Sequence, residues 1–182
     1  ILPVISAHDY ALFGHSLGSW IAFLLTLKIQ ANGDRLPLRL YLSGRAAPGV
    51  PRKNGTHYDL PTEELLAVLT RLGGTDRSLL DNRDFLDYYL PIIRADFRII
   101  DTYVWPENQP KLSVPLSVFG GLNDEPTEQE MREWRRHTEG VCRFYWFEGG
   151  HFFIHQHSGE IMRIIAREIE QELTFREKGV LL

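Results

Sequence analysis

Two glycines flank a serine at alternate positions in Gly14-His15-Ser16-Leu17-Gly18, between a short apolar run and a long apolar stretch. This is the pattern that turns a weak hydroxyl into a nucleophile. A strand running into the pentapeptide and a helix running out of it force a sharp turn with Ser16 at its tip. The N–H of Leu17, at the positive end of the helix, points at any oxyanion that forms beside Ser16, which makes Leu17 the candidate oxyanion-hole donor. Gly14 and Gly18 are expected to let the two backbones pass where a Cβ would collide. Two further residues complete the chemistry. Asp124 follows Gly120-Gly121-Leu122-Asn123, and His151 follows Glu148-Gly149-Gly150, each just past an apolar run. In this reading Ser16 attacks a carbonyl, His151 takes its proton and returns it to the leaving group, and Asp124 holds the imidazole in one tautomer and stabilises its charged form.

Each choice has a rival. Glu125 stands beside Asp124, but a Gly-Gly-x-x-Asp loop after a strand favours Asp124. His15 adjoins Ser16, yet neighbouring side chains of such a turn diverge, so His15 is read as packing or shaping it. His151, His155 and His157 have a spacing that invites a metal ion. A metal site needs carboxylate or thiolate partners at ligand spacing, which this segment does not supply, so no metal is expected. Cys142, near Phe144 and Trp146 in an apolar run, reads as buried filler rather than a nucleophile.

The elements that must position these residues follow from periodicity. Residues 10–13 read as a strand, 17–30 as a helix apolar nearly all round, and 38–42 as a second strand, a unit that favours a parallel sheet. Between about 45 and 105 the pattern is helical. Thr62 is placed to cap a helix bearing Leu65, Leu66, Val68, Leu69 and Leu72; a second helix covers 84–89, and a third starts after Pro91. This block reads as a lid or as one outer layer of an α/β domain, which periodicity alone does not separate; as a lid it offers Leu65, Leu69, Phe85, Ile92 and Phe97 as candidate linings of a substrate channel. Strands are expected at 115–119 and 141–147. Thr127 and Glu130 form a capping box for a helix over 128–137, and Ser158 is placed to cap a final helix with Ile161, Ile164, Ile165, Ile169 and Leu173 on one stripe. Residues just past the carboxyl ends of parallel strands converge on one edge, and the chain order Ser…Asp…His is that of the α/β-hydrolase arrangement. The expected fold is therefore α/β, a mostly parallel sheet with helices on both faces and an inserted helical lid, formed by residues 1–182 as one domain.

Composition removes other classes. The 182 residues carry 20 basic and 24 acidic side chains, well mixed, for a net charge of −4, which is not the footprint of a nucleic-acid binder. One cysteine leaves no internal disulfide and no structural zinc cluster, in keeping with a cytoplasmic protein. The run at 20–27 is too short to span a bilayer, and no signal-peptide pattern precedes it.

Further motifs run along the chain in order: Ala11-Leu12-Phe13-Gly14-His15-Ser16-Leu17-Gly18, Ser43-Gly44-Arg45-Ala46-Ala47-Pro48, Leu72-Gly73-Gly74-Thr75, Leu90-Pro91-Ile92-Ile93-Arg94-Ala95-Asp96-Phe97, Val118-Phe119-Gly120-Gly121 and Gly149-Gly150-His151-Phe152-Phe153. With these the chain resembles the type II thioesterases of polyketide and nonribosomal-peptide synthesis, discrete α/β-hydrolases similar to the medium-chain thioesterases of fatty-acid synthesis. The resemblance places the family's triad on Ser16, Asp124 and His151. It implies an acyl thioester on the phosphopantetheine arm of an acyl or peptidyl carrier protein as substrate, with no cofactor on the enzyme itself. A monomer is expected, with no nucleic-acid or membrane partner. Arg45, Arg52 and Lys53 are the basic residues expected to meet an acidic carrier. Family members begin with a strand and a loop that supplies a second oxyanion-hole N–H. This chain starts at Ile1, after that point, so either the sequence is a fragment or the protein has lost half its oxyanion hole; the amino-terminal strands are expected to lie outside it, with an unpaired apolar edge and weak solubility and activity of this piece as consequences.

Overall fold

A computed structural model describes residues 7–51, 55–106 and 108–179. Four strands, β1 (Leu12–His15), β2 (Leu40–Ser43), β3 (Leu116–Gly121) and β4 (Cys142–Phe147), form one sheet in the order β1-β2-β3-β4. All pairs are parallel, with Leu12 opposite Leu40, Leu40 opposite Leu116 and Leu116 opposite Cys142. Alternation along the strands then divides the core in two. Leu40, Leu42, Leu116, Val118 and Cys142 pack with Trp20, Phe23 and Leu27 of α1 (Leu17–Asn32) and with Met131 and Trp134. Tyr41, Phe119 and Phe147 point to the opposite face and pack with Phe153, Ile161 and Ile164, the last two from α7 (Ser158–Glu177).

The connection from β2 to β3 carries the helical insertion: α2 (Thr62–Leu72), α3 (Arg77–Leu80) and α4 (Arg83–Thr102). The helices expected at 84–89 and after Pro91 are one helix. Pro91 lies inside it on an exposed stretch, where the N–H it lacks would have bonded the carbonyl of Asp87. The side chain of Asn82 caps this helix by accepting from Phe85 N at 3.1 Å. Thr62 does not cap α2. Pro61 occupies that position, and the Thr62 hydroxyl instead accepts from Arg94 Nη2 at 3.3 Å. Arg94 also donates to the carbonyls of Tyr58 and Leu60, at 2.9 and 2.7 Å, while Asp101 Oδ2 accepts from the N–H groups of His57 and Tyr58. Two charged residues of α4 thus fix the segment that leads into α2.

After β3, the Thr127–Glu130 capping box opens α5 (Glu128–Arg132) as expected. The helix does not run on to His137 as an α-helix; Glu133–His137 winds as a 3-10 turn, with Trp134 fully buried and its Nε1–H donating to the Arg45 carbonyl at 2.7 Å. A short α6 (Phe153–Gln156) leads into α7, where His157 rather than Ser158 stands at the N-cap.

The buried stripe of α7 includes a carboxylate that its apolar pattern conceals. Glu168, 1% exposed, accepts from Ser117 Oγ (2.7 Å), Arg143 Nη1 (2.9 Å) and Tyr145 OH (2.8 Å), and lies 3.9 Å from Arg39, itself buried. Arg39 is also held by Glu172 at 2.5 Å. Removing one partner of a buried pair leaves an uncompensated charge. Glu168→Ala is expected to destabilise by roughly 3 kcal/mol, the low end of the usual range because Arg39 keeps Glu172. Urea titration reads this as a lower midpoint at unchanged slope; an unmoved midpoint would show that the cluster contributes nothing net.

β1 is an edge strand among the described residues, and the apolar surface expected beside it is present: Phe13 is 45% exposed, and Ile21 and Leu25 on α1 are 55% and 40% exposed. No helix among the described residues is long and apolar enough to cross a membrane.

Candidate active site

The turn between β1 and α1 is strained. Ser16 has φ 55° and ψ −122°, a region that L-residues rarely occupy and that costs of order 1–3 kcal/mol. Surrounding bonds impose it. Ser16 N donates to the Ser43 carbonyl at 2.8 Å, and the buried Ser19 Oγ lies 2.9 Å from the carbonyls of both Gly14 and Ser43, tying the ends of β1 and β2 to the first turn of α1. Ser19 was not singled out by motif reading; its position one turn into a helix leaving a Gly-x-Ser-x-Gly turn is the signal that identifies it. A Cβ on Gly14 would lie 2.1 Å from the Gly18 carbonyl oxygen, so glycine is required there. Gly18 does not play the matching role. A Cβ on it would meet nothing within 4 Å, because the close approach is made by Gly18's backbone onto Gly14, and Gly18 itself lines open space. Leu17 N–H, in the first turn of α1, has no intrahelical acceptor.

The loops after β3 and β4 bring the other two residues together. Asn123 N donates to the Gly149 carbonyl at 3.0 Å, and Leu122 N to that of Phe147 at 2.9 Å. His151 Nδ1 lies 3.0 and 3.1 Å from the two oxygens of Asp124, with side-chain exposures of 9% and 2%. Glu125 points elsewhere, to Arg71 Nη2 at 2.9 Å. His157 Nε2 lies 2.9 Å from the Glu148 carbonyl and His155 stacks on Phe152, so neither shares a centre with His151. Burial pushes the thiol of Cys142 up to about 12, which keeps it protonated and poorly nucleophilic at neutral pH.

Ser16, Leu17 and His151 face one cavity of about 560 Å³. Its apolar wall is made by Leu69 and Leu72 of α2, Ile93, Phe97 and Ile100 of α4, Ile21 and Phe152. Of the expected lining residues, Leu69 and Phe97 are in place. Leu65 is fully buried, Phe85 packs on Tyr89 with ring centroids 4.4 Å apart, and Ile92 is 47% exposed; none of the three lines this cavity. The turn of α4 that faces the cavity is 93–97–100, one position off the row containing Ile92. Arg45 lies at the cavity with its guanidinium 5.0 Å above the Trp20 ring, whereas Arg52 and Lys53 fall outside the described residues. Among the described residues the Ser16 hydroxyl makes no hydrogen bond; such bonds are often long before a substrate is bound.

His15 does not diverge from the site. Its ring lies 4.9 Å from that of His151, and Nδ1 is 3.0 Å from Ser43 Oγ. Burial first, then the nearby His151, lower its pKa from 6.5 to about 4, against an opposing pull from Asp124. With the folded value below the unfolded one, the unfolded chain takes up the proton first. The contribution of neutral His15 to stability is therefore complete above about 6.5 and is lost as pH falls towards 4, by at most about 3 kcal/mol. The difference in denaturation midpoint between the parent protein and His15→Phe should change across this window, with the parent losing more stability on acidification; parallel curves would contradict it.

Residues 1–169 match the Thioesterase domain family. The chain belongs to this family. The thioesterase domain is 33% identical over 177 residues to Linear gramicidin dehydrogenase LgrE of Brevibacillus parabrevis, covering 95% of this chain and 66% of that protein. It is 34% identical over 157 residues to Thioesterase PikA5 of Streptomyces venezuelae, covering 86% and 55% respectively. Among solved structures, the type II thioesterase BorB from the borrelidin biosynthetic cluster superimposes with a TM-score of 0.79 at 37% identity, over 92% of this chain and 69% of that one. The thioesterase domain thus spans between about half and two thirds of the length of these curated relatives, and its fold is that of the α/β-hydrolases.

Proposed function

We propose that the thioesterase domain hydrolyses acyl thioesters held on the phosphopantetheine arm of a carrier protein, with Ser16, His151 and Asp124 as its triad. The observation that carries this reading is the buried Asp124–His151 pair at 3.0 Å, facing the same cavity as a serine held in a strained turn, in a member of the Thioesterase domain family. Ser16 Oγ attacks the thioester carbonyl while His151 Nε2 takes its proton; the Leu17 N–H receives the oxyanion, and the thiol leaves with the proton from His151. Water then repeats the sequence on the acyl-serine. Asp124 holds Nδ1 and stabilises the imidazolium in both halves. Leu69 and Phe97, with Leu72, Ile93 and Ile100, would enclose the acyl chain beneath a helical lid. The relatives named as thioesterases, one of them from the borrelidin cluster, support a carrier-bound substrate.

The dehydrogenase name of one relative does not transfer. A dinucleotide-binding turn needs glycine at the first, third and sixth positions, and here those positions are Gly14, Ser16 and Ser19. The third must let the pyrophosphate approach bare backbone, which Ser16 prevents. An esterase acting on free small molecules and a non-catalytic carrier-docking module are the competing outcomes. Steady-state rates on carrier-bound acyl thioester, free acyl-coenzyme A and a simple ester separate them, together with Arg45→Glu. The carrier-bound thioester should give the highest kcat/KM, and Arg45→Glu should lower that value several-fold while sparing acyl-coenzyme A. Preference for the simple ester, or no turnover with tight carrier binding, would decide for a competitor.

A further inference from the structure

His15 occupies a box whose walls are the site itself. Its ring faces His151 at 4.9 Å, Phe152 at 5.5 Å and Phe153 edge-on at 6.1 Å. Gly44 lies against it, and a Cβ there would come within 2.6 Å of His15 Cε1, so the ring takes its place only because residue 44 is glycine. Its Nδ1 is tied to Ser43 Oγ at 3.0 Å, and its Nε2 is buried without a hydrogen-bond partner among the described residues. An orphaned buried nitrogen costs of order 1–3 kcal/mol, which a phenyl ring in the same box would not incur. What the imidazole adds over a phenyl ring is the Ser43 bond, which fixes the plane of the ring that His151 rests against.

We propose that His15 is a positioning residue for His151: its ring, anchored by Ser43, is the stop that holds the His151 imidazole facing Ser16. The Asp124 carboxylate grips only one edge of that imidazole, through Nδ1, and a ring held at one edge still rocks about that contact. The His15 ring, 4.9 Å away and tilted by 44°, limits that rocking from one side. The groups whose charges reach His15 are His151, Asp124 and His155, and burial keeps His15 neutral at working pH, so the ring does not repel the imidazolium that His151 becomes during turnover. The proposal rests on the reading of His151 as general base.

The test separates ring from anchor. His15→Asn keeps a group able to bond Ser43 but removes the ring; His15→Phe keeps a ring but removes the bond; Ser43→Ala releases the anchor with the imidazole in place. With carrier-bound acyl thioester, His15→Asn is expected to lower kcat by about ten- to a hundredfold at nearly unchanged KM, the scale of loss for a displaced catalytic group. The acid limb of its kcat/KM profile should move to higher pH, because water entering the vacated volume solvates the charged form of His151. His15→Phe and Ser43→Ala should each lose only a few-fold, and their combination no more than either. Near-parental kcat in His15→Asn overturns the proposal, as do equal losses in His15→Asn and His15→Phe that simply follow their Tm. Should His15→Asn fail to fold, Ser43→Ala decides: a few-fold lower kcat at unchanged KM and Tm supports the anchored ring, and a parental kcat overturns it. An inactive His151→Ala beside a fully active His15→Asn sinks this proposal alone, whereas an active His151→Ala sinks the reading beneath it.

Discussion

Ser16→Ala and His151→Ala are each expected to lower kcat for thioester hydrolysis by a factor on the order of 10⁴ to 10⁶, and the double variant should be little worse than either. The non-additivity follows from the mechanism. Without the hydroxyl there is nothing for the imidazole to activate, and without the imidazole the hydroxyl at neutral pH is a poor nucleophile. Serine already places a Cβ at φ 55°, and its hydroxyl makes no hydrogen bond among the described residues, so Ser16→Ala should leave the stability of the fold nearly unchanged. A fluorophosphonate probe gives an independent readout, since it labels only an activated serine. Substantial turnover in Ser16→Ala, or labelling that survives it, would remove Ser16 from the nucleophile's role.

The second large effect concerns the carboxylate. Asp124→Asn is expected to cost about 10⁴ in kcat with the fold intact, because an amide opposite Nδ1 favours the wrong tautomer and cannot stabilise the imidazolium. Glu125→Gln should cost almost nothing. Its carboxylate pairs with Arg71, whose side chain is 59% exposed, and such pairs contribute little. The two variants differ by one position and one methylene, so their contrast isolates geometry from charge. If Glu125→Gln were the damaging change and Asp124→Asn the silent one, the acid partner of His151 in solution would not be the residue 3.0 Å from its Nδ1.

The reach of the sequence stops where local pattern gives way to neighbours brought from elsewhere. Gly14-His15-Ser16-Leu17-Gly18 announced a strand-to-helix turn because its constraint is local: Gly14 must admit the Gly18 carbonyl four residues on. Thr127 and Glu130 announced a helix start for the same reason, each satisfying the other's backbone. The positions of Asp124 and His151 past strand ends were legible because parallel strands send all their carboxyl ends to one edge. Tertiary structure alone decided the rest. Asp124 and Glu125 carry the same charge; the Gly-Gly-x-x-Asp pattern favours the first, but the contacts that turn it to His151 and leave the second to Arg71 come from the paired loops after β3 and β4. The apolar rows of α2 and α4 are visible in the sequence, but a row has several residues and one neighbour at a time, so Leu65 went to the interior, Ile92 to the surface, and Leu72, Ile93 and Ile100 to the cavity. Glu168 sits in an apolar stripe, and nothing in its own helix foretells the Arg39, Ser117, Arg143 and Tyr145 that make its burial tolerable. Local turn geometry predicts that His15 diverges from its neighbour Ser16, yet both line the same cavity. His15 meets His151, 136 positions further on, because β4 lies in the same sheet and its loop folds back over the end of β1.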